Sequence, residues 1–127
     1  MNGNMSVVQW LLRAEDADRA LNAYLQLRQA KGYMSTRDND ALRRQLNDLY
    51  QDSRRIRPAD KASLKACQGM ALMDAIEAFS SAAVCLMTGR HDTPAWIAVD
   101  AIKLERAVNT IHPALGLLAE LRDPHHA

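Results

Sequence analysis

Residues 70–87 read MALMDAIEAFSSAAVCLM, and the fold turns on how that run is interpreted. Wound at 3.6 residues per turn, its apolar side chains fall on nearly every side, leaving Asp74, Glu77, Ser80 and Ser81 as a single polar strip. A helix of this kind needs neighbours on several sides. Ala66, Ala71, Ala75, Ala78, Ala82 and Ala83 are small enough to let those neighbours approach. A strand reading fails, because no run of alternation lasts and β-branched and aromatic residues are sparse along the whole chain. We therefore expect a third helix, central to the fold, starting between Pro58 and Asp60 and ending at Gly89.

Upstream, Val7, Trp10, Leu11, Ala14, Ala17, Leu21, Tyr24 and Leu25 recur at helical spacing between Ser6 and Gly32 and predict a first helix. Glu15, Asp16, Arg19 and Gln26 make its polar side. Ser35 and Thr36 are both suited to cap a second helix, and Asp38 and Asp40 lie in its first turn, where the helix dipole favours acids. The apolar stripe of this helix is thin, carried by Leu42, Leu46, Leu49, Tyr50 and Ile56, so it belongs at the edge of the domain. Pro58 marks its break.

Downstream, Thr93 as N-cap with Pro94 at the first helical position predicts the start of a fourth helix. Trp96, Ile97, Leu104, Ala107, Val108 and Ile111 form its main stripe. Pro113 is expected to kink or end it, because a mid-helix proline removes one hydrogen bond and crowds the preceding turn. Leu115, Leu118 and Leu121 continue the pattern in a short terminal helix. Connections of about two to six residues make successive helices antiparallel neighbours. The expected fold is all-α: four to five helices in an up-down antiparallel bundle, helix three central and helix four kinked at Pro113. One domain spans 1–127, with 1–5 and 123–127 frayed.

Composition agrees with a folded domain of this size. The chain has 127 residues, 48% apolar and 24% charged, which is ordinary for a globular protein and far from disorder. Its formal net charge of +1 provides no global field toward nucleic acid or an anionic membrane. Uninterrupted apolar stretches fall short of a membrane span, and residues 1–10 lack the pattern of a secretory signal. A cytoplasmic location is expected. Cys67 and Cys85 fall on one helix about 27 Å apart, too far to pair with each other. They read as reduced thiols, with an intermolecular or redox role as the alternative.

Chemical motifs are scarce. His91, His112, His125 and His126 include no Glu-x-x-His pair, and neither His-Glu-x-x-His nor Cys-x-x-Cys occurs, so no metal site is expected. None of the five glycines belongs to a phosphate-cradling loop, and no cofactor is expected. Asp74 and Asp100 lie on otherwise apolar stripes. An ionised carboxylate buried without a partner costs several kcal/mol, so each either pairs with an arginine or sits at a wet edge. An enzyme using Asp74, Asp100 or His112 is the third-ranked reading.

Residues 37–65 hold eight of the sixteen basic side chains against five acidic ones, whereas 66–127 carry four basic and seven acidic. Arg43 and Arg54, like Arg44 and Arg55, are eleven residues apart, which returns to nearly the same helical face. Such a ladder grips phosphates or, laced with Asp48 and Asp52, is simply a solvated face.

The apolar surplus points elsewhere. Helix three asks for cover around most of its circumference, and helix four offers Val99 and Ile102 on a second face. Leftover apolar surface implies an interface. Met70, Met73 and Met87, with Met34, are pliable contact residues, and Phe79, Trp96 and Trp10 are the large anchors available. The favoured expectation is a non-enzymatic interaction module, a regulator, adaptor or inhibitor, that binds another protein or a second copy of itself through Met70, Met73, Phe79, Trp96, Val99 and Ile102. The alternative is a nucleic-acid-associated protein using Arg43, Arg44, Arg54 and Arg55.

Overall fold

A computed structural model describes residues 4–31, 34–86, 96–97 and 101–122, together with their side chains except at 28, 31, 34–36, 96–97 and 101. Among these residues the elements run α1 (Val7–Lys31), β1 (Met34–Ser35), α2 (Thr36–Ser53), α3 (Pro58–Ala62), α4 (Ala66–Leu86), β2 (Trp96–Ile97) and α5 (Ala101–Leu118), closed by a 3-10 turn at Ala119–Leu121. The fold is the expected helical bundle.

Four long helices form a ring in which α1 packs on α2, α2 on α4, α4 on α5 and α5 back on α1. Each seam is antiparallel. Trp10 meets Leu49 and Tyr24 meets Asn39 between α1 and α2, while Asn39 at the start of α2 meets Leu86 at the end of α4. Asp18 meets His112 and Glu15 meets Arg122 across the last seam. The apolar stripe of α1 is buried along its whole length, and Leu42, Leu46, Leu49 and Ile56 close the core from the side of α2. Burying such stripes against one another is the main force that holds short helices in place. Trp10 and Phe79 meet edge to face at the centre, ring centroids 6.1 Å apart and planes at 81°.

The start of α1 is closely fixed. Ser6 and Gln9 form a reciprocal capping box: the Gln9 amide donates to Ser6 Oγ and the Ser6 amide donates to Gln9 Oε1. The Val7 amide donates to Asp60 Oδ2 at 2.7 Å, so α3 supplies an acceptor for a helix distant in sequence. Met5 bridges in parallel to Ile56, with hydrogen bonds from its amide to the Arg55 carbonyl and from the Arg57 amide to its own. Fraying was expected over residues 1–5, but Met5 is buried in the core; these backbone bonds are what tie it down. Replacing Asp60 by alanine is expected to destabilise the fold by about 1 kcal/mol, since an acceptor and a favourable charge leave the positive end of α1. Urea denaturation reads this, and an unchanged midpoint would refute the capping role.

Boundaries differ from expectation at the end of α2, which stops at Ser53 and leaves Ile56 off the helix, and at the starts of the third and fourth helices. The third helix does not run on from Pro58: α3 ends in a turn at Ser63, whose hydroxyl donates to the Asp60 carbonyl. α4 starts afresh at Ala66, where Gln68 turns its side chain back to accept from the Lys65 amide. The fourth helix does not include Trp96 and Ile97, which are extended and pair with Ser35 and Met34. Both of these residue types suit an extended backbone, and the connection before α2 offers a partner at the same end of the bundle. Pro113 does not end α5, which continues through it to Leu118. Thr93, Pro94 and residues 123–127 lie outside the described residues.

Candidate functional site

The outer side of α4 and α5 is where the sequence placed a docking surface. Large hydrophobic side chains exposed among the described residues are Met70, Met73 and Val84 on α4, Ile102 and Leu117 on α5, and Leu12 and Leu27 on α1. Five of these seven lie on α4 and α5, and Met70, Val84 and Leu117 among them line the groove between the two helices. Met70 and Ile102 are the barest, at 68% and 67% exposed. The helix period explains their positions: Ala71, Leu72, Ala75, Phe79, Ala82 and Leu86 turn inward, so Met70, Met73 and Val84 must turn outward.

Phe79 is a correction. It was expected at the docking surface but is fully buried against Trp10, at 0% exposed. The signal was the polar strip of Asp74, Glu77 and Ser81: Phe79 lies on the opposite side of the helix from it, the side that faces Trp10. Trp96 lies in the extended β2, its side chain outside the described set, and Val99 lies outside the described residues. Val84 and Leu117 were missed. Leu117 falls off the stripe formed by Leu115, Leu118 and Leu121, and that displacement is the signal that it points outward.

Between α4 and α5 runs an open groove in two parts. The first, about 410 Å³, is mostly apolar and is lined by Cys67, Met70, Pro113, Ala114 and Leu117, with Asp74 and Thr110 at its inner end. The second, about 640 Å³, continues past Glu77, Ser81 and Val84 opposite Arg106 and Lys103. Asp74 and Thr110 line both parts. The α4 wall carries only acidic charge, Asp74 and Glu77, whereas the α5 wall presents Lys103 and Arg106. Cys67 is exposed at one end and Cys85 is buried near the other, neither in a disulfide.

Asp74 is exposed at the wet edge of this groove, and Asp100 lies outside the described residues. The carboxylate that is buried is Asp18, which the sequence reading passed over although its spacing from Ala14, Leu21 and Leu25 places it on the core-facing stripe of α1. His112 Nδ1 lies 3.0 Å from its Oδ2, and Asn22 Nδ2 donates to it at 3.3 Å. His112 itself is 79% exposed. The pair clamps α1 to α5. The described residues contain no group of three or more His, Cys, Asp or Glu side chains placed to hold a metal ion. His91, His125 and His126 lie outside them.

Three of the four arginines of the basic ladder are engaged at home. Arg43 pairs with Asp40 at 3.1 Å, Arg55 bonds Asn4 and Asp52, and the Arg54 guanidinium stacks 5.6 Å from the Tyr50 ring centre. Arg44 is exposed. α4 is long and apolar enough by length and composition to cross a membrane, but half of it is buried inside the bundle.

Residues 4–121 match the family model described as YliH: Biofilm formation protein (YliH/bssR). Curated relatives include proteins named Biofilm regulator BssR from Escherichia coli K12, Escherichia coli O157:H7 and Shigella flexneri, each 42% identical over 108 residues, or 82% of this chain and 82% of the relative. No solved structure matches the chain. A match over nearly its whole length, together with identity of this order, establishes that the chain belongs to the YliH/BssR family of biofilm formation proteins.

Proposed function

We propose that the chain is a non-enzymatic regulator of biofilm formation that works by protein–protein contact through the outer face of α4 and α5, self-association being the first contact this face makes. The carrying observation is that Met70, Val84 and Leu117 line one groove between α4 and α5, with Met73 and Ile102 exposed on the same two helices. Scattered exposed apolar residues are normal on any protein, whereas five along two adjacent helices mark a surface that gains by being covered. The relatives' description as biofilm regulators supports the regulatory half of the reading. Cys67 and Cys85 form no disulfide, which is compatible with a reducing, cytoplasmic setting. A phosphate-gripping role for α2 is weaker, because Arg43, Arg54 and Arg55 already have partners within the chain.

The test is complementation in a strain lacking the gene. A Met70→Asp, Leu117→Asp double variant places two charges on the apolar end of the face without touching the core. It is expected to fold with unchanged helical circular dichroism and to leave the biofilm phenotype of the deletion uncorrected. Arg44→Glu is expected to complement fully. If the double variant regulates as the unaltered protein does, the face is not the working surface.

A further inference from the structure

We propose that the α4–α5 face is covered by a second copy of this chain about a two-fold axis parallel to the helices, so that α4 of each copy lies on α5 of the other. The proposal rests on the docking reading above and adds the occupant and its orientation. Met70 to Val84 and Lys103 to Leu117 each span fourteen residues, about 21 Å of helix. The two stretches run side by side in opposite directions, since Met70 shares one part of the groove with Leu117 and Val84 shares the other with Lys103. A two-fold interface brings the same patch against itself, so only two orientations keep the helices aligned.

An axis parallel to the helices keeps every residue at its own level and exchanges the two walls. Met70 then meets Leu117 of the copy, and Glu77 lies opposite Thr110, four residues or about 6 Å of helix from Arg106 on the same wall and within reach of its long side chain. An axis at right angles, crossing both helices, places α4 on α4. Glu77, midway between Met70 and Val84, would then face its own copy, and Leu117 would be covered by Lys103. Like charges opposed at the centre of an interface cost several kcal/mol, while complementary walls fix register and speed the encounter. The charge pattern selects the parallel axis. It also disfavours an occupant of one charge sign, which would be repelled by one of the two walls.

Sedimentation equilibrium of the full chain, from about one to about one hundred micromolar, tests the arrangement. A dimer is expected, and Glu77→Arg and Arg106→Glu are each expected to weaken it at least about tenfold, with the double variant restoring most of the loss. All of these side chains are exposed, so circular dichroism should match the unaltered protein throughout. Under the crossing axis Glu77→Gln would relieve the repulsion between the two copies of Glu77, so tighter association of Glu77→Gln alone would indicate that axis and overturn the proposal. Failure of the double variant to recover would overturn it too. A chain that stays monomeric across the range overturns it in favour of an unlike partner, and leaves the complementation test of the face standing on its own.

Discussion

Truncating Trp10 to alanine is expected to remove about 3–5 kcal/mol of stability, a large share of the roughly 5–15 kcal/mol available to a domain of this size. The indole is fully buried, donates from Nε1 to the Leu49 carbonyl at 3.0 Å, and meets the Phe79 ring edge to face. One side chain thus joins α1 to α2 and reaches across the ring to α4. Alanine loses the burial and leaves a cavity where three helices converge. Phenylalanine retains most of the apolar volume and loses chiefly the hydrogen bond, so it should cost about 1–2 kcal/mol. Urea denaturation followed at 222 nm by circular dichroism reads both. The double variant with Phe79→Ala should show a coupling of about 0.5–1.5 kcal/mol, the usual strength of an edge-to-face pair. Strict additivity would mean that the two rings contribute only as separate greasy volumes.

Trp10 also shows what was legible in advance. The stripe from Val7 to Leu25 recurs with the helix period, and the structure buries every member of it. Leu42, Leu46 and Leu49 on α2 and Leu104, Ala107, Val108 and Ile111 on α5 were legible for the same reason. What periodicity does not contain is the identity of the neighbour. On α4 nearly every position is apolar, and only the narrow polar strip of Asp74, Glu77 and Ser81 carried the direction: Met70 and Met73 flank it and turn out, while Phe79 lies opposite and turns in. The same blindness moved two boundaries. Pro58 looks like a helix start and is one, but Asp60 is drawn to the amide end of α1, and the chain must turn at Ser63 before α4 can begin. Thr93 and Pro94 have the local chemistry of a helix start, yet Trp96 and Ile97 pair as strands, because an edge partner at that end of the bundle outweighs local preference. Polar groups inside the core were the least legible. Asp18 and Asn39 each sit among charged or polar sequence neighbours, and only the approach of distant helices buries them.

Asn39 is the polar group on which the end of the bundle depends. It is almost fully buried, its Nδ2 donates to the Leu86 carbonyl at 2.6 Å, and its Oδ1 accepts from the Tyr24 hydroxyl at 3.0 Å. The Leu86 carbonyl belongs to the last turn of α4, and Asn39 supplies it with a side-chain donor from a neighbouring helix. One amide side chain therefore closes α4 and fastens it to α1 and α2. Leucine matches asparagine in size and offers neither donor nor acceptor. Asn39→Leu is expected to destabilise the domain by about 2–4 kcal/mol, because the Leu86 carbonyl keeps its burial and loses this partner. Aspartate separates the donor from the acceptor. It can still accept from Tyr24, but when ionised it presents negative charge to the Leu86 carbonyl, so folding should raise its pKa above the unfolded value. Stability relative to the unaltered protein is then retained at acid pH, where the carboxyl stays protonated and can donate as the amide did, and is lost as pH rises through the carboxylate range. Urea midpoints of Asn39→Asp and the unaltered chain, compared at about pH 4 and about pH 7, should diverge as pH rises. A gap that stays constant, or closes toward neutral pH, would show that the Nδ2 bond to Leu86 does not hold the end of α4.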